Sequence, residues 1–300
     1  MKLIGSTLPV FCTFALLIAL PMSLIEHEVL AQTDPKKPGR KQITVPFEIQ
    51  QGHIYVDAFV NERGPYRFMV DTGASGDGRA DIRLVKELEL PTTGTTTNSD
   101  GVNTATVPTV EFDSLRVGTF MRRKLEVLAR DYNARAASGT KLRMGIIGRD
   151  FFSGHLLTID YVRKEIRISD GSLDESERNT MRYETAFVVP LRVGLFEAVG
   201  SLDSGSNLEM HLPMAWAKRL GLQDLKEAGE GRRANTVFKL FSTDSAIPVE
   251  IARNKTALQK ARFSELVDRI NIGGAFLVAN RCVMTLDQRN RLVRLRCANK

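Results

Sequence analysis

The chain has 300 residues, 43% of them hydrophobic, with 42 Lys and Arg against 35 Asp and Glu. That length and apolar content suit a sizeable core and about two domains of ordinary size, which excludes a disordered chain. The basic residues are scattered, without the clustering and aromatic interleaving of a nucleic-acid surface, so no nucleic-acid partner is expected.

Residues 1–31 carry Lys2, the apolar run LPVFCTFALLIALPMSLI and then EHEVLA, where Val29 and Ala31 suit a small-residue cleavage site before Gln32. This reads as a secretory signal peptide, followed by a polar linker over 32–42. The run of 18 from Leu8 to Ile25 is just long enough to span a bilayer, yet Pro21 and small polar residues interrupt it. Membrane association is therefore expected only if the segment stays uncleaved. Cleavage after Ala31 removes Lys2, Glu26 and Glu28, leaving 41 basic and 33 acidic residues, a net charge of +8. The expected location is secreted or periplasmic.

Next comes IYVDAFVNERGPYRFMVD, two alternating runs joined by Asn-Glu-Arg-Gly, which predicts a hairpin delivering Asp71 at the end of its second strand. FMVDTGAS thus runs a strand that should be buried straight into a carboxylate, which is costly beside a core without a partner. Asp-Thr-Gly is also an ordinary turn string. A working carboxylate needs a second one, because two held together divide into an ionised base and a protonated acid. Beyond it, ADIRLVKELEL predicts a short helix stopped by Pro91, and TTTNSDGVNTATV a hairpin with Asp100-Gly101 as its turn. GIIGRDFFSGHLLTIDYVRKEIRI closes this first lobe, 43–170, and a polar, turn-rich linker spans 171–184.

The plan then repeats over 185–300. AFVVPLRVGLFEAVGSLD leads to LDSGSN and Asp203; PMAWAKRLGL follows, with Pro213 at the first helical position and Gly221 near the C-cap. Asp71 and Asp203 each lie 19 residues before a leucine, Leu90 and Leu222, that closes the helical segment. Downstream, INIGGAFLVANRCVMTLDQRNRLVRL matches the end of the first lobe: glycine, a strand ending in Thr-apolar-Asp, a tight turn and a basic alternating strand. An internal duplication with a period of about 130 residues is the reading, far too long for a solenoid.

FMVDTGAS followed by a helix and GIIGRDFF resembles the pepsin and retropepsin superfamily of aspartic proteases, and the tandem arrangement resembles bacterial single-chain proteins of two retropepsin-like lobes. The resemblance covers Ile43 to Ile168 well and Ala186 to Leu295 more loosely. It implies an all-β, bilobal acid-protease fold with short helices, two homologous closed β lobes and the active site between them. The implied activity is aspartic endopeptidase, with a water activated between Asp71 and Asp203, a peptide or protein substrate, a monomeric chain and neither cofactor nor metal. Thr72 and Ser204 should cross between loops with their hydroxyls; Gly73 and Gly205 should allow close backbone approach. Ala74 and Ser75 complete the first loop. Ser206 stands where pepsin-like enzymes carry a hydroxyl that bonds the carboxylate, and Ala74 lacks it. Gly148 matches the glycine that packs beneath the catalytic loop, and Gly274 matches it partly, because Gly273 stands where a bulky residue is expected. EAGEGRRANTVFKL is the weaker of the two flap candidates, and neither flap holds the tyrosine of pepsin-like enzymes.

Competing chemistries find little support. His53, His155 and His211 are isolated, with no metal-ligand spacing. GASGD misses the hydrolase Gly-x-Ser-x-Gly pattern at Asp77, and Trp216 reads as helix core. In CVMTLDQRNRLVRLRC a turn centred on Arg289-Asn290 pairs residues whose numbers sum to 579, setting Cys282 opposite Cys297 as a disulfide candidate in an oxidising compartment. Two other functional readings stay open: a non-catalytic peptide- or protein-binding protein that keeps the fold, and an enzyme active only as a homodimer of first lobes.

Overall fold

The computed structural model describes residues 42–298 except 135, 137 and 138. The predicted signal segment and all but the last residue of the 32–42 linker lie outside the described residues. Among the described residues, no helix is long and apolar enough to cross a membrane. The fold is built of strands, with three α-helices of five or six residues and one 3-10 turn among the described residues.

Alternation makes the strands. Val188–Val193, VVPLRV, buries Val188, Val189, Leu191 and Val193 while Pro190 and Arg192 face out. Tight turns join them: Asn61 and Glu62, both at positive φ, link His53–Val60 to Arg63–Asp71, a two-residue connection matched to strand twist. The helices are short because each is fixed locally. Ile82–Glu87 starts on Asp81, whose carboxylate accepts from the Arg83 N–H, and ends before Pro91. In the second half Pro213 does not open the helix as expected. It ends the strand Met210–Pro213, and the helix is Ala215–Arg219, since proline's fixed φ suits an extended strand end as readily as a helix start. Gly221 follows the C-cap Leu220 at φ +70°, where glycine is favoured.

Three sheets result. Eight strands of the first half, ordered from Glu48–Gln50 to Thr92–Ser99, curl until His53–Val60 also pairs Thr104–Val117. Nine strands of the second half form the equivalent sheet. A six-stranded sheet draws three strands from each half: Gln42–Pro46, Glu165–Ser169 and Leu156–Asp160 continue into Cys282–Asp287, Leu292–Cys297 and Thr180–Arg182. At its centre Thr158 pairs with Thr285, their hydroxyls 3.0 Å apart. Thr180–Arg182 falls inside the stretch read as a linker; it is a strand because Met181 packs on the core while its backbone pairs with Leu292–Cys297. The Thr-apolar-Asp strand ends carry fully buried Asp160 and Asp287. Asp160 accepts from the Val162 and Arg163 N–H groups, and Asp287 from Asn290 and Leu173, so each carboxylate closes the turn that follows it. One apolar core cluster, with Phe68, Phe112, Phe151, Phe187, Phe263 and Phe276 fully buried, runs through both halves.

Candidate active site

The strand order positions the aspartates. Gly145–Gly148 lies between Arg63–Asp71, which it pairs in parallel, and Gly78–Asp81, which it pairs antiparallel. The chain from Asp71 to Gly78 must therefore pass around the end of that strand. A Cβ on Gly148 would come 2.2 Å from the Gly76 carbonyl oxygen, so only glycine fits beneath the loop. In the second half Ile270–Gly273 sits in the same way between Phe196–Asp203 and Met210–Pro213. Here the register corrects the sequence reading: Asp71 is level with Gly148, and Asp203 with Gly273, not Gly274. A Cβ on Gly273 would meet the Leu208 carbonyl at 2.1 Å. With that one-residue shift Ile272 takes the place of Ile147, and the bulky residue that had looked absent is present. Gly274 is confined for another reason, because its Cβ would lie 2.2 Å from the Gly52 carbonyl of the first half.

The two loops lock to each other through Thr72 and Ser204, both fully buried. The Thr72 N–H donates to the Ser204 Oγ at 3.0 Å, and the Ser204 N–H donates to the Thr72 Oγ1 at 3.0 Å. Each hydroxyl then donates to a carbonyl of the opposite strand, Thr72 to Leu202 at 3.2 Å and Ser204 to Val70 at 2.9 Å. Four bonds satisfy both hydroxyls and two backbone donors in a dry interface.

That lock brings Asp71 and Asp203 together. Each carboxyl lies against the glycine of the opposite loop. A Cβ on Gly73 would lie 2.5 Å from the Asp203 Oδ1, and one on Gly205 would lie 2.2 Å from the Asp71 Oδ1. Asp71 Oδ1 accepts from the Gly73 and Ala74 N–H groups at 2.9 and 3.0 Å, and Asp203 Oδ1 from the Gly205 N–H at 2.9 Å. Both side chains keep some exposure while protein surrounds them. Burial, then the charge and the hydrogen bond of Asp203, push the Asp71 carboxyl up to about 7, against the pull of the Ala74 and Gly73 N–H groups.

The remaining predicted loop residues divide. Ser75 is exposed, with no side-chain bond to either aspartate. Ser206 does not bond the carboxylate as the resemblance implied; its Oγ accepts from the Leu208 N–H at 3.4 Å. The side-chain donor to Asp203 is instead Asn271, whose Nδ2 lies 2.8 Å from the Asp203 Oδ2. Asn271 was missed in the sequence, although INIG against GIIG shows a polar residue inside an otherwise apolar run. His53 is not isolated either: it crosses to the second loop, its Nε2 3.0 Å from the Gly205 carbonyl oxygen. Burial and then Arg143 hold His53 below the usual histidine range, against the Gly205 bond and the Asp203 charge. His155 contacts Asp170, and the buried His211 bonds the Ser264 Oγ at 2.8 Å. Trp216 is half-buried at the core margin beside Phe196.

Both flap candidates are hairpins, and their tips meet. The first pairs Ser99 with Thr104, so its tip is the four residues 100–103 rather than Asp100-Gly101 alone, with Gly101 at φ +86°. The second joins Lys226–Arg232 to Val237–Ser242. Asp100 Oδ2 accepts from the Asn235 N–H at 2.6 Å and the Thr236 hydroxyl at 2.9 Å. The Asn235 Nδ2 donates to the carbonyls of Asn98 and Asn103, and Arg233 donates to that of Asp100. Burial pulls the Asp100 carboxyl up, but donors from Asn103, Asn235, Val102 and Thr236 together hold it below its usual value. Cys282 and Cys297, opposed in the hairpin register that sums to 579, are joined by a disulfide.

Residues 56–151 match the family model described as aspartyl protease. The fold is similar to the crystal structure of an aspartic proteinase from Irpex lacteus, with a TM-score of 0.51 and 12% identity, over 86% of this chain and 98% of that one. No curated protein matches the chain. The family match takes in the first aspartate loop, and the fold match across both halves shows the bilobal aspartic-proteinase fold.

Proposed function

We propose that the protein is an aspartic endopeptidase acting as a single chain, with Asp71 and Asp203 as the catalytic pair. The observation that carries this reading is the meeting of two carboxyls on loops locked by Thr72 and Ser204, with one carboxyl held protonated up to about pH 7. Like charges so close cannot both ionise, so the pair retains one proton. A water held between them loses a proton to the ionised member and attacks the peptide carbonyl, whose oxygen takes the proton of the other. The intermediate is tetrahedral and not covalently attached to the protein.

The two hairpins clasped at Asp100 supply a cover that excludes bulk water and must part to admit a peptide. That Thr72 and Ser204 belong to one chain supports this reading over a homodimer of first lobes. The leader predicted from the sequence over 1–31 and the Cys282–Cys297 disulfide support a secreted or periplasmic location.

The test is incubation of the chain, freed of residues 1–31, with a mixed peptide library from about pH 3 to about pH 8, with and without pepstatin. Cleavage should be pepstatin-sensitive, and Asp71→Asn and Asp203→Asn should each lower it by about 10³-fold or more. Near-normal cleavage by Asp203→Asn would return the homodimer, and no cleavage under any condition would favour a binding protein.

A further inference from the structure

The two aspartates sit in matched loops but not in matched surroundings. On the strand beneath each loop, Ile146 and Asn271 hold the same place: Ile146 is level with Met69, two residues before Asp71, and Asn271 is level with Ser201, two residues before Asp203. Ile146 packs with Tyr55 and Met69, with Ala74 and Tyr132 against them, and its side chain has no donor to offer a carboxylate. Asn271 brings an amide, with its Nδ2 2.8 Å from the Asp203 Oδ2 and 3.4 Å from the Ser201 Oγ.

The other end of that amide is informative. The Asn271 Oδ1 is buried with no hydrogen-bond partner, a cost that a flip of the side chain would not repay while Asp203 is ionised. Flipping would set the Oδ1 lone pairs against a carboxylate oxygen. The orientation found, NH2 toward carboxylate, is the one that an ionised Asp203 selects, and it disfavours a proton on Oδ2 because donor would face donor.

We infer that Asn271 is a positioning residue that holds Asp203 as the ionised member of the pair and thereby leaves the shared proton on Asp71. Resting on the proteolytic reading of the site, this assigns the two roles. The water oxygen bonds the peptide carbon while its proton passes to Asp203. The carbonyl π pair moves onto its oxygen, which takes the proton of Asp71. On collapse, the C–N bond breaks as Asp203 gives its proton to the leaving nitrogen, and Asp71 recovers a proton from a hydroxyl of the intermediate. The pair ends as it began.

Other ionisable groups around Asp203 come from several elements. Asp71 faces it from the opposite loop, His53 reaches the neighbouring Gly205 from strand His53–Val60, and His211 is the cross-strand partner of Asn271. Tyr161, buried after Leu156–Asp160, feels the Asp203 charge, and Arg143 and Arg67 bear on His53. Burial, and then Arg233, hold His211 at about 4, so it is neutral through most of the range in which the pair works.

The experiment reads Asp203 alone. In Asp71→Asn the coupled partner is gone, and the Asp203 carboxyl carbon can be followed by carbon-13 NMR of aspartate-labelled protein across pH. Adding Asn271→Ile, which copies the first half, should raise that midpoint by about one unit, the size expected for one lost charge-assisted hydrogen bond. Asn271→Ala should do the same and carries the test if the isoleucine variant does not fold. A midpoint that stays or falls in a folded variant overturns the inference, as does a lower melting temperature with no change in midpoint, which would mark a structural role only. No substrate is involved, so failure of the peptide-cleavage test sinks the proteolytic reading while leaving this measurement decisive about Asn271.

Discussion

The two aspartate loops are built alike where they hold each other and differently where they hold their own carboxylates. Thr72 and Ser204 make the same pair of bonds in mirrored directions, and Gly73 and Gly205 each leave room for the opposing aspartate. Around the carboxylates the symmetry fails: Asp71 takes two backbone donors and no side-chain donor, while Asp203 takes one backbone donor and the Asn271 amide. Geometry can be shared because both loops solve the same packing problem. Proton affinity must be split, because two equal acids would compete for the one proton that the site holds.

The strongest way to break the shared part is steric. Gly205→Ala would drive a methyl group to about 2.2 Å from the Asp71 carboxylate, well inside contact, so the pair must separate. We expect cleavage to fall by about 10²-fold or more with the fold retained, checked by peptide turnover beside circular dichroism. Gly73→Ala should act equally; a large difference between the two would show that the loops are less alike than their bonds indicate.

Ser204→Ala tests the lock. It removes the acceptor of the Thr72 N–H and the hydroxyl donor to the Val70 carbonyl, a loss of about 2 kcal/mol by denaturant titration. Thr72→Val, which keeps the volume and deletes the hydroxyl, should cost a similar amount.

The split part has a pH signature. The Asp71 carboxyl, at 3.8 when unperturbed and about 7 here, keeps its proton over a range in which the unfolded chain has released it. The folded state then binds more protons, so this group's contribution to stability falls as pH rises from about 4 to about 7 and is flat below. Asp71→Asn abolishes that slope. Relative to the unaltered protein its stability should climb through the window and stay higher at neutral pH. A parallel pair of stability curves would contradict the raised carboxyl.

At the flap tips the sign reverses. The Asp100 carboxyl is held below its usual value, so the clasp is complete above the unperturbed 3.8 and is lost as pH falls through the depressed native value. Asp100→Ala should open it at any pH. Amide exchange at Asn235 should quicken by about tenfold with the global melt little changed, because only local contacts at the tips are removed.

Much of this was legible in the chain. The paired Asp-hydroxyl-Gly strings, their equal spacing to Leu90 and Leu222, and the Cys282–Cys297 register are local patterns, and local patterns survive in a single sequence. What was not legible depends on contacts between distant segments. Whether Gly273 or Gly274 lies under the loop is decided by strand register, and both glycines look alike in sequence. Pro213 suits a strand end and a helix start equally. Asn271, His53 and Asn235 acquire partners 68, 152 and 135 positions away, which no periodicity announces.

The smallest expected effect comes from Ala74→Ser, which gives the first loop the hydroxyl of the second. Ser206 spends its oxygen on the Leu208 N–H, so a copied serine would leave Asp71 untouched if the same partner were free. It is not free: the Gly76 N–H, the corresponding donor two residues after Ala74, already binds Asp150 Oδ2 at 2.6 Å. A serine at position 74 is left to turn its proton toward Asp71, whose ionised form it would favour. The sign follows, since stabilising the carboxylate lowers its proton affinity and moves the alkaline limb of cleavage to lower pH. We expect less than about one unit, because the new bond is to a partly exposed group that two N–H donors already serve. The pH dependence of kcat/KM measures it. An upward move would mean that the serine had displaced the Ala74 N–H from the Asp71 Oδ1, and the loop itself had shifted.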